Sequence, residues 1–307
     1  MEDARYIGID IGGTKTAVSA GTEHGELRFS KSFPTKEHYS EVLEDIYEQL
    51  DALFERIGDQ ARVIGISCGG PLDSREGVIL SPPNLPSWRD VPIVSLLEKR
   101  YGRPAFLEND ANACALAEWY WGRGKGYEHL LFLTFGTGLG AGLILNGDLY
   151  RGANGLSGEI GHVRMAPDGP YCYRKHGSWE SFCSGSGISE LYRQAHGEQL
   201  SAKQVCQRAA AGDTDALKVI DKSAEYLGRG LAMLIDIFNP EAVIIGSIFT
   251  RSEALFREKT EQIIAEEALS QSAETCRILT SALGDRIGDF AALGVAINGF
   301  RHMRNQG

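Results

Sequence analysis

Short apolar runs ending in glycine turns alternate along this chain with longer stretches whose apolar residues recur every three to four positions. Tyr6 to Ile11 reads as a buried strand. Gly12-Gly13-Thr14 turns the chain, and Thr16 to Ala20 reads as the returning strand. Val42, Leu43, Ile46, Leu50, Leu53, Phe54 and Ile57 fall on one helical face, which predicts a helix over 39–57 with Gly58 as its stop. Val63 to Ser67 is another strand, ending in Gly69-Gly70-Pro71, and a proline-rich loop occupies Ser81 to Pro86. Ala105 to Leu107 is a short strand that runs into Glu108-Asn109-Asp110 and a helix over 111–121.

The opening pattern then returns. Leu130 to Phe135 is apolar, Gly136-Thr137-Gly138 is a turn, and Gly142 to Leu145 is apolar again. Asp10-x-Gly12 aligns with Thr134-x-Gly136 about 124 residues later, and a unit used twice implies two related lobes with a cleft between them. Leu217, Ile220, Ala224, Leu227, Leu231, Leu234 and Phe238 define one long helix closed by Asn239-Pro240. Ala242 to Ile245 is a buried strand ending in Gly246-Ser247, and a last helix covers about 289–302. Alternating strands and helices place the chain in the α/β class.

Composition narrows the function. The 307 residues fit one large domain or two ordinary ones, and 43% hydrophobic with 23% charged residues is typical of a soluble globular protein. A net charge of -10 argues against nucleic acid as the main partner. No apolar run approaches the roughly 20 residues of a membrane helix, and no apolar signal-peptide core follows the charged N-terminus. The six cysteines are scattered without a C-x-x-C, so a reduced, cytoplasmic setting is expected.

Asp10-Ile11-Gly12-Gly13-Thr14-Lys15 is the first candidate site. A glycine turn between two strands points backbone N–H groups at anionic oxygens with no Cβ in the way. Thr14 and Lys15 add donors, and Asp10 is suited to Mg²⁺ held through water. The bland alternative is a tight hairpin with a surface lysine. Gly136-Thr137-Gly138 is the second such turn, and two of them weaken that alternative. Neither is a Walker A loop or a dinucleotide fingerprint, because each returns to a strand. Asp110, between a strand end and a helix start, is placed to accept the proton of an attacking hydroxyl; Asn109 or Asp110 is equally suited to cap the helix, and both roles are compatible.

These motifs resemble the ROK family of bacterial sugar kinases, sugar-responsive repressors and open reading frames. The shared residues are I-G-I-D-I-G-G-T-K at Ile7 to Lys15, G-G-P-L-D at Gly69 to Asp73 and N-L-P-S-W at Asn84 to Trp88. E-N-D-A-N-A at Glu108 to Ala113, G-T-G-L-G-A-G at Gly136 to Gly142 and G-L-S-G-E-I-G-H at Gly155 to His162 complete them. The resemblance implies a duplicated actin-like (ribonuclease H-like) ATPase fold, with residues 1–110 plus about 290–307 as a small lobe and 111–289 as a larger one. It implies ATP and Mg²⁺ as cofactors, a homodimer, and transfer of phosphate to the 6-hydroxyl of a hexose or N-acetylhexosamine. Asp110 is then the catalytic base. Gly70, Asn84, Asn109, Asp110, Glu159, His162 and Glu180 contact the sugar, and Gly246 lies by the adenosine.

Two departures stand out. Many members carry C-x-C-G-x-x-G-C-L-E, whose cysteines join the histidine of G-H around a structural zinc. Here those cysteine positions hold Tyr171, Tyr173 and Ser178, while Gly177 and Glu180 keep register. Zinc prefers Cys, His and carboxylate ligands, so the expectation is that zinc is absent, with the tyrosines and Trp179 packed in its place and His162 free for a sugar. The alternative is an improvised site of His162, His176, Cys172 and Cys183. Secondly, the glycine run expected after the late strand reads Gly246-Ser247-Ile248, which alters the nucleotide fit. The competing functions are a sugar-binding protein without kinase activity and a DNA-binding repressor. Repressors of the family have a helix-turn-helix before the first motif; six residues precede Ile7 here, so none is expected.

Overall fold

The computed structural model describes residues 5–306. The chain divides into two compact units: Met1–Lys125 with Arg151–Leu156 and Asp285–Gly307, and Gly126–Tyr150 with Ser157–Gly284.

The first unit is built on strands β1 (Tyr6–Ile11), β2 (Lys15–Gly21), β3 (Leu27–Pro34) and β4 (Val63–Cys68). The short hairpin β5 (Leu72–Asp73) and β6 (Val78–Ile79) follows, and then β7 (Ala105–Asn109). Its helices are α1 (Tyr39–Ile57), α2 (Ile93–Tyr101), α3 (Asp110–Trp121) and the last helix of the chain, α11 (Ile287–Gln306). The main sheet has the order β3-β2-β1-β4-β7, with the first three strands antiparallel and β1, β4 and β7 parallel.

Side-chain alternation explains why β1 is buried on both faces. Ile7, Ile9 and Ile11 join Val42, Ile46 and Leu50 of α1 in one core cluster. Gly8 and Gly65 face α11 instead: a Cβ on Gly65 would lie 2.2 Å from the Ala292 carbonyl oxygen, so only glycine lets the helix come this close. Helix α3 packs against α11 as well, and so the unit runs on past residue 110 to Lys125. The parallel register sets Asp10 beside Ser67, and Cys68 beside Asn109. The carboxyl ends of three strands therefore finish together, where α/β sheets bind ligands.

The second unit repeats this plan. Its strands are β8 (Leu130–Phe135), β9 (Leu139–Leu145), β10 (Asp148–Leu149), the small pair β11 (Tyr171–Cys172) and β12 (Lys175–His176), β13 (Ala242–Ile245) and β14 (Arg277–Thr280). The main sheet reads β10-β9-β8-β13-β14, again three antiparallel strands followed by parallel pairings. The helices are α4 (Trp179–Phe182), α5 (Gly185–His196), α6 (Ala202–Ala210), α7 (Thr214–Phe238), α8 (Ile248–Arg251), α9 (Glu253–Glu267) and α10 (Ser270–Thr275). The long helix α7 starts at Thr214, before the first periodic leucine, because the Asp213 side chain accepts from the N–H groups of Asp215 and Ala216. Asn239 ends it in the left-handed conformation, with φ 44°. Helix α7 packs on α9, and this pair closes a core with Phe135, Trp179 and Phe256.

Candidate active site

In the first unit the sequence-predicted residues converge. Asn109 ends β7 and caps α3, its side chain accepting from the Ala111 N–H at 2.9 Å; Asp110 accepts from the same N–H at 2.8 Å. Asp110 is exposed at the helix start. The Gly69-Gly70 turn lies beneath: a Cβ on Gly70 would sit 3.4 Å from the Asn109 amide nitrogen, and one on Gly69 4.0 Å from Asp110 Oδ2. Asn84 closes on the first phosphate-type turn, where a Cβ on Gly13 would meet Asn84 Cβ at 2.8 Å. Thr14 and Lys15 are exposed.

Asp10 sits at the end of β1 against the start of α11, where a Cβ on Gly288 would lie 2.4 Å from its Oδ2. Burial pushes its pKa up to about 6, with Asp110 and Asp289 raising it further and a hydrogen bond from Ser67 opposing them. Glu108, buried one residue before Asn109, was given no role from sequence. Its Oε2 accepts from Arg151 Nε at 2.6 Å and its Oε1 from Asn112 and the Asn109 N–H. Three hydrogen bonds to the buried Glu108 carboxylate, one from the half-buried Arg151, tie down the strand end that carries Asn109 and Asp110.

In the second unit, the turn Gly136-Thr137-Gly138 meets the N-terminus of α5. Gly185 N–H donates to the Gly136 carbonyl at 2.7 Å, and Ser186 Oγ donates to the Thr137 carbonyl at 2.8 Å. Gly185 and Ser186 were missed from sequence; the signal was Ser184-Gly185-Ser186-Gly187, a serine cap followed by close-packing glycine, and Ser184 does cap α5. Gly136, Thr137, Gly185 and Ser186 line an open cavity of about 1530 Å³ with Ser247, Arg251 and Gln207. Gly246 lies against Phe132, where a Cβ would be 3.0 Å from the ring. Cavity, glycine turn and helix N-terminus together fit a nucleoside phosphate.

The three residues expected to contact sugar from this unit lie around one turn. Glu159 precedes the 3₁₀ turn Ile160–His162 and His162 ends it, and both are exposed. Glu180 is in α4, and its Oε2 accepts from the Leu139 N–H at 2.8 Å, directly beyond the glycine turn. The zinc-loop positions do other work. Ser178 caps α4, and Trp179 is fully buried. Tyr171, expected to pack likewise, is 63% exposed. The improvised metal site does not assemble. Cys172 donates to Glu180, buried Cys183 to the Ser223 carbonyl, and His176 pairs with the Gly169 carbonyl. Among the described residues, no group of three or more His, Cys, Asp or Glu side chains could hold a metal. The residues present do not fit zinc.

The sequence profile of the ROK family matches residues 6–297, and the chain belongs to that family. The glucokinase of Thermotoga maritima is 33% identical over 96% of this chain and 98% of its own. The ROK hexokinase of Thermus thermophilus superimposes with a TM-score of 0.88 at 32% identity, covering 97% of this chain and 99% of that one. A ROK family glucokinase from Streptomyces griseus, solved in complex with glucose and AMPPNP, gives 0.79 at 29% identity over 96% and 99%. The xylose repressor of Caldicellulosiruptor bescii is 30% identical over 95% of this chain and 78% of its own length. The architecture is that of the actin-like ATPases. No helix among the described residues is long and apolar enough to cross a membrane.

Proposed function

We propose that this protein is an ATP-dependent kinase acting on the 6-hydroxyl of a hexose or N-acetylhexosamine, working in the cytoplasm as a homodimer. One observation carries the reading: Asp110 stands exposed at a helix start with Asn109, Asn84, Asp10 and the first glycine turn gathered around the same strand ends. The glucokinase relatives and the neighbour solved with glucose and AMPPNP support it.

Asp110 accepts the proton of the attacking hydroxyl, and Asn109, Asn84, Gly70, Glu159, His162 and Glu180 orient the sugar by paired donors and acceptors. Gly12, Gly13, Thr14 and Lys15, with Gly136, Thr137 and Gly138, hold phosphate oxygens; Gly246 admits the adenosine. Asp10 would hold Mg²⁺ through water, and the ion would supply charge neutralisation at the phosphates. Bound ATP·Mg²⁺ supplies the phosphoryl group and neutralises its charge. Positioned acid–base groups contribute about 10²–10⁴-fold, and Asp110→Asn is expected to lose that much kcat with the sugar KM little changed. The test is coupled ADP release over a panel of glucose, fructose, mannose, allose, N-acetylglucosamine and N-acetylmannosamine. The repressor relative favours a second reading, a sugar sensor without transfer. Sugar binding by calorimetry with no sugar-stimulated ADP would establish that one instead.

A further inference from the structure

The loop in which Tyr171, Tyr173 and Ser178 stand at the expected cysteine positions holds a contact that joins His162 to Glu180. Strands β11 and β12 pair as Tyr171 with His176 and Cys172 with Lys175, so Tyr173 and Arg174 form a two-residue hairpin turn. Both have positive φ, 54° and 58°, as this turn requires, yet neither is glycine or asparagine. A non-glycine residue there costs about 1–2 kcal/mol. Strain at such a position is informative when the side chain it aims has a task.

The Tyr173 ring stacks on His162 with centroids 3.6 Å apart and planes 24° from parallel. Its hydroxyl donates to Glu180 Oε2 at 2.7 Å, the same oxygen that accepts from the Leu139 N–H. Burial and the adjacent Glu180 carboxylate both raise the phenol's pKa, so it stays a donor at neutral pH. Cys172 donates to the other oxygen of Glu180 at 3.4 Å, and Lys175 donates to the His162 carbonyl. One side chain thus touches both His162 and Glu180, which lie eighteen residues apart in the chain (180 against 162).

We propose that Tyr173 is a positioning residue that replaces the family's zinc: its ring sets the His162 imidazole and its hydroxyl sets the Glu180 carboxylate for the sugar. This rests on the kinase reading above, in which His162 and Glu180 meet the acceptor. A metal would grip the histidine through its ring nitrogen, whereas stacking leaves both ring nitrogens available for hydroxyl groups.

The test uses the full chain with ATP·Mg²⁺ and D-glucose, or whichever hexose of the panel is turned over fastest. Tyr173→Phe keeps the stack and loses the hydrogen bond; the sugar KM rises about 3–10-fold. Tyr173→Leu loses both, and the rise is about 30-fold or more. In both variants kcat and the ATP KM stay within about twofold, a split that a misfolded loop would not give. Incubation with a zinc chelator, followed by assay in excess Mg²⁺, leaves the wild-type sugar KM unchanged. Unaltered sugar KM in both variants, an equal loss in every parameter, or stoichiometric zinc in the purified protein would overturn the proposal while leaving the kinase reading intact. A wild type that phosphorylates no hexose overturns the kinase reading itself, and the positioning role with it.

Discussion

Two glycine hairpins open the two sheets at the same place in the strand order, and they differ in the residue that enters the turn. In the first, Asp10 pairs with Ala17 across the hairpin; in the second, the matching residue is Thr134, paired with Gly140. Thr134 is neutral and satisfied locally, its Oγ1 accepting from the Gly140 N–H at 3.1 Å. Asp10 is a carboxylate pressed against the start of α11 with Asp110 and Asp289 as like-charged neighbours. Repeating the topology did not repeat the chemistry. The first turn holds a charge at an energetic disadvantage, as functional sites do, and the second offers backbone donors and a docked helix start.

The largest effect should follow from making the first turn resemble the second. Asp10→Asn removes the group proposed to hold the metal, and kcat/KM should fall about 10²–10³-fold, the usual cost of losing a preorganised electrostatic group. Stability should move the other way. Asp10 has a folded pKa of about 6 against an ordinary 3.8, so between these values the folded protein binds more protons than the unfolded chain. Its contribution to stability therefore falls as pH rises from about 4 to about 6 and stays unfavourable above that. At pH 7.5 the ligand-free Asn variant should be more stable by about 1–3 kcal/mol, and this part of the pH dependence should vanish. Denaturant unfolding at pH 4.5 and 7.5 checks both; equal slopes in wild type and variant would remove the electrostatic contrast between the hairpins.

Adding a methyl group to each turn separates their dependencies more gently. On Gly12 a Cβ would lie 2.9 Å from the Lys15 carbonyl oxygen, inside the turn itself. On Gly138 it would lie 2.7 Å from Glu180 Oε2, the oxygen shared by Leu139 and Tyr173. Gly12→Ala should raise the ATP KM alone, by about 10-fold for a lost phosphate contact worth about 1.4 kcal/mol. Gly138→Ala should raise both the ATP and the sugar KM, because the methyl displaces the carboxylate proposed to meet the acceptor. Steady-state kinetics with each substrate varied in turn decides it, and a sugar KM unmoved in Gly138→Ala would show Glu180 to be independent of the turn.

The sequence carried some of this contrast and concealed the rest for identifiable reasons. The spans of β1, β13 and α1 were readable because burial imposes its period directly on the residues. Asn109 and Asp110 were readable because helix start and strand end coincide there. Strand β3 was not, since it is an edge strand with only Leu27, Phe29 and Phe33 turned inward among polar neighbours. The clasp of Arg151 on Glu108 joins residues far apart in sequence, with no local pattern to announce it. The hairpin of Tyr173 and Arg174 lacks the glycine or asparagine that marks such turns, so its aim toward His162 was hidden. The same reasoning missed Gly185 and Ser186, whose partner is a backbone carbonyl some fifty residues upstream (186 against 137).

The smallest expected effect concerns Ser247, which follows β13 and lies against the second turn. It follows Gly246 with φ 55° and ψ -111°, a backbone conformation suited to glycine. Holding a serine there costs about 1–3 kcal/mol, and glycine in its place would give back about 0.5–1 kcal/mol through greater freedom of the unfolded chain. Ser247→Gly should therefore gain about 1 kcal/mol, a rise of about 2–4 °C in Tm by differential scanning calorimetry. The hydroxyl lies over the second turn, 3.5 Å from where a Cβ on Gly136 would be, so it sits at the mouth of the cavity proposed for the nucleotide. Its removal should change the ATP KM by no more than about 3-fold, the worth of one exposed hydrogen bond, and leave the sugar KM alone. A lower Tm in the glycine variant would mean that the serine side chain stabilises this corner by more than its backbone costs. The second turn would then depend on a side chain as the first depends on Asp10, and the contrast between a charged hairpin and a backbone hairpin would fail at that point.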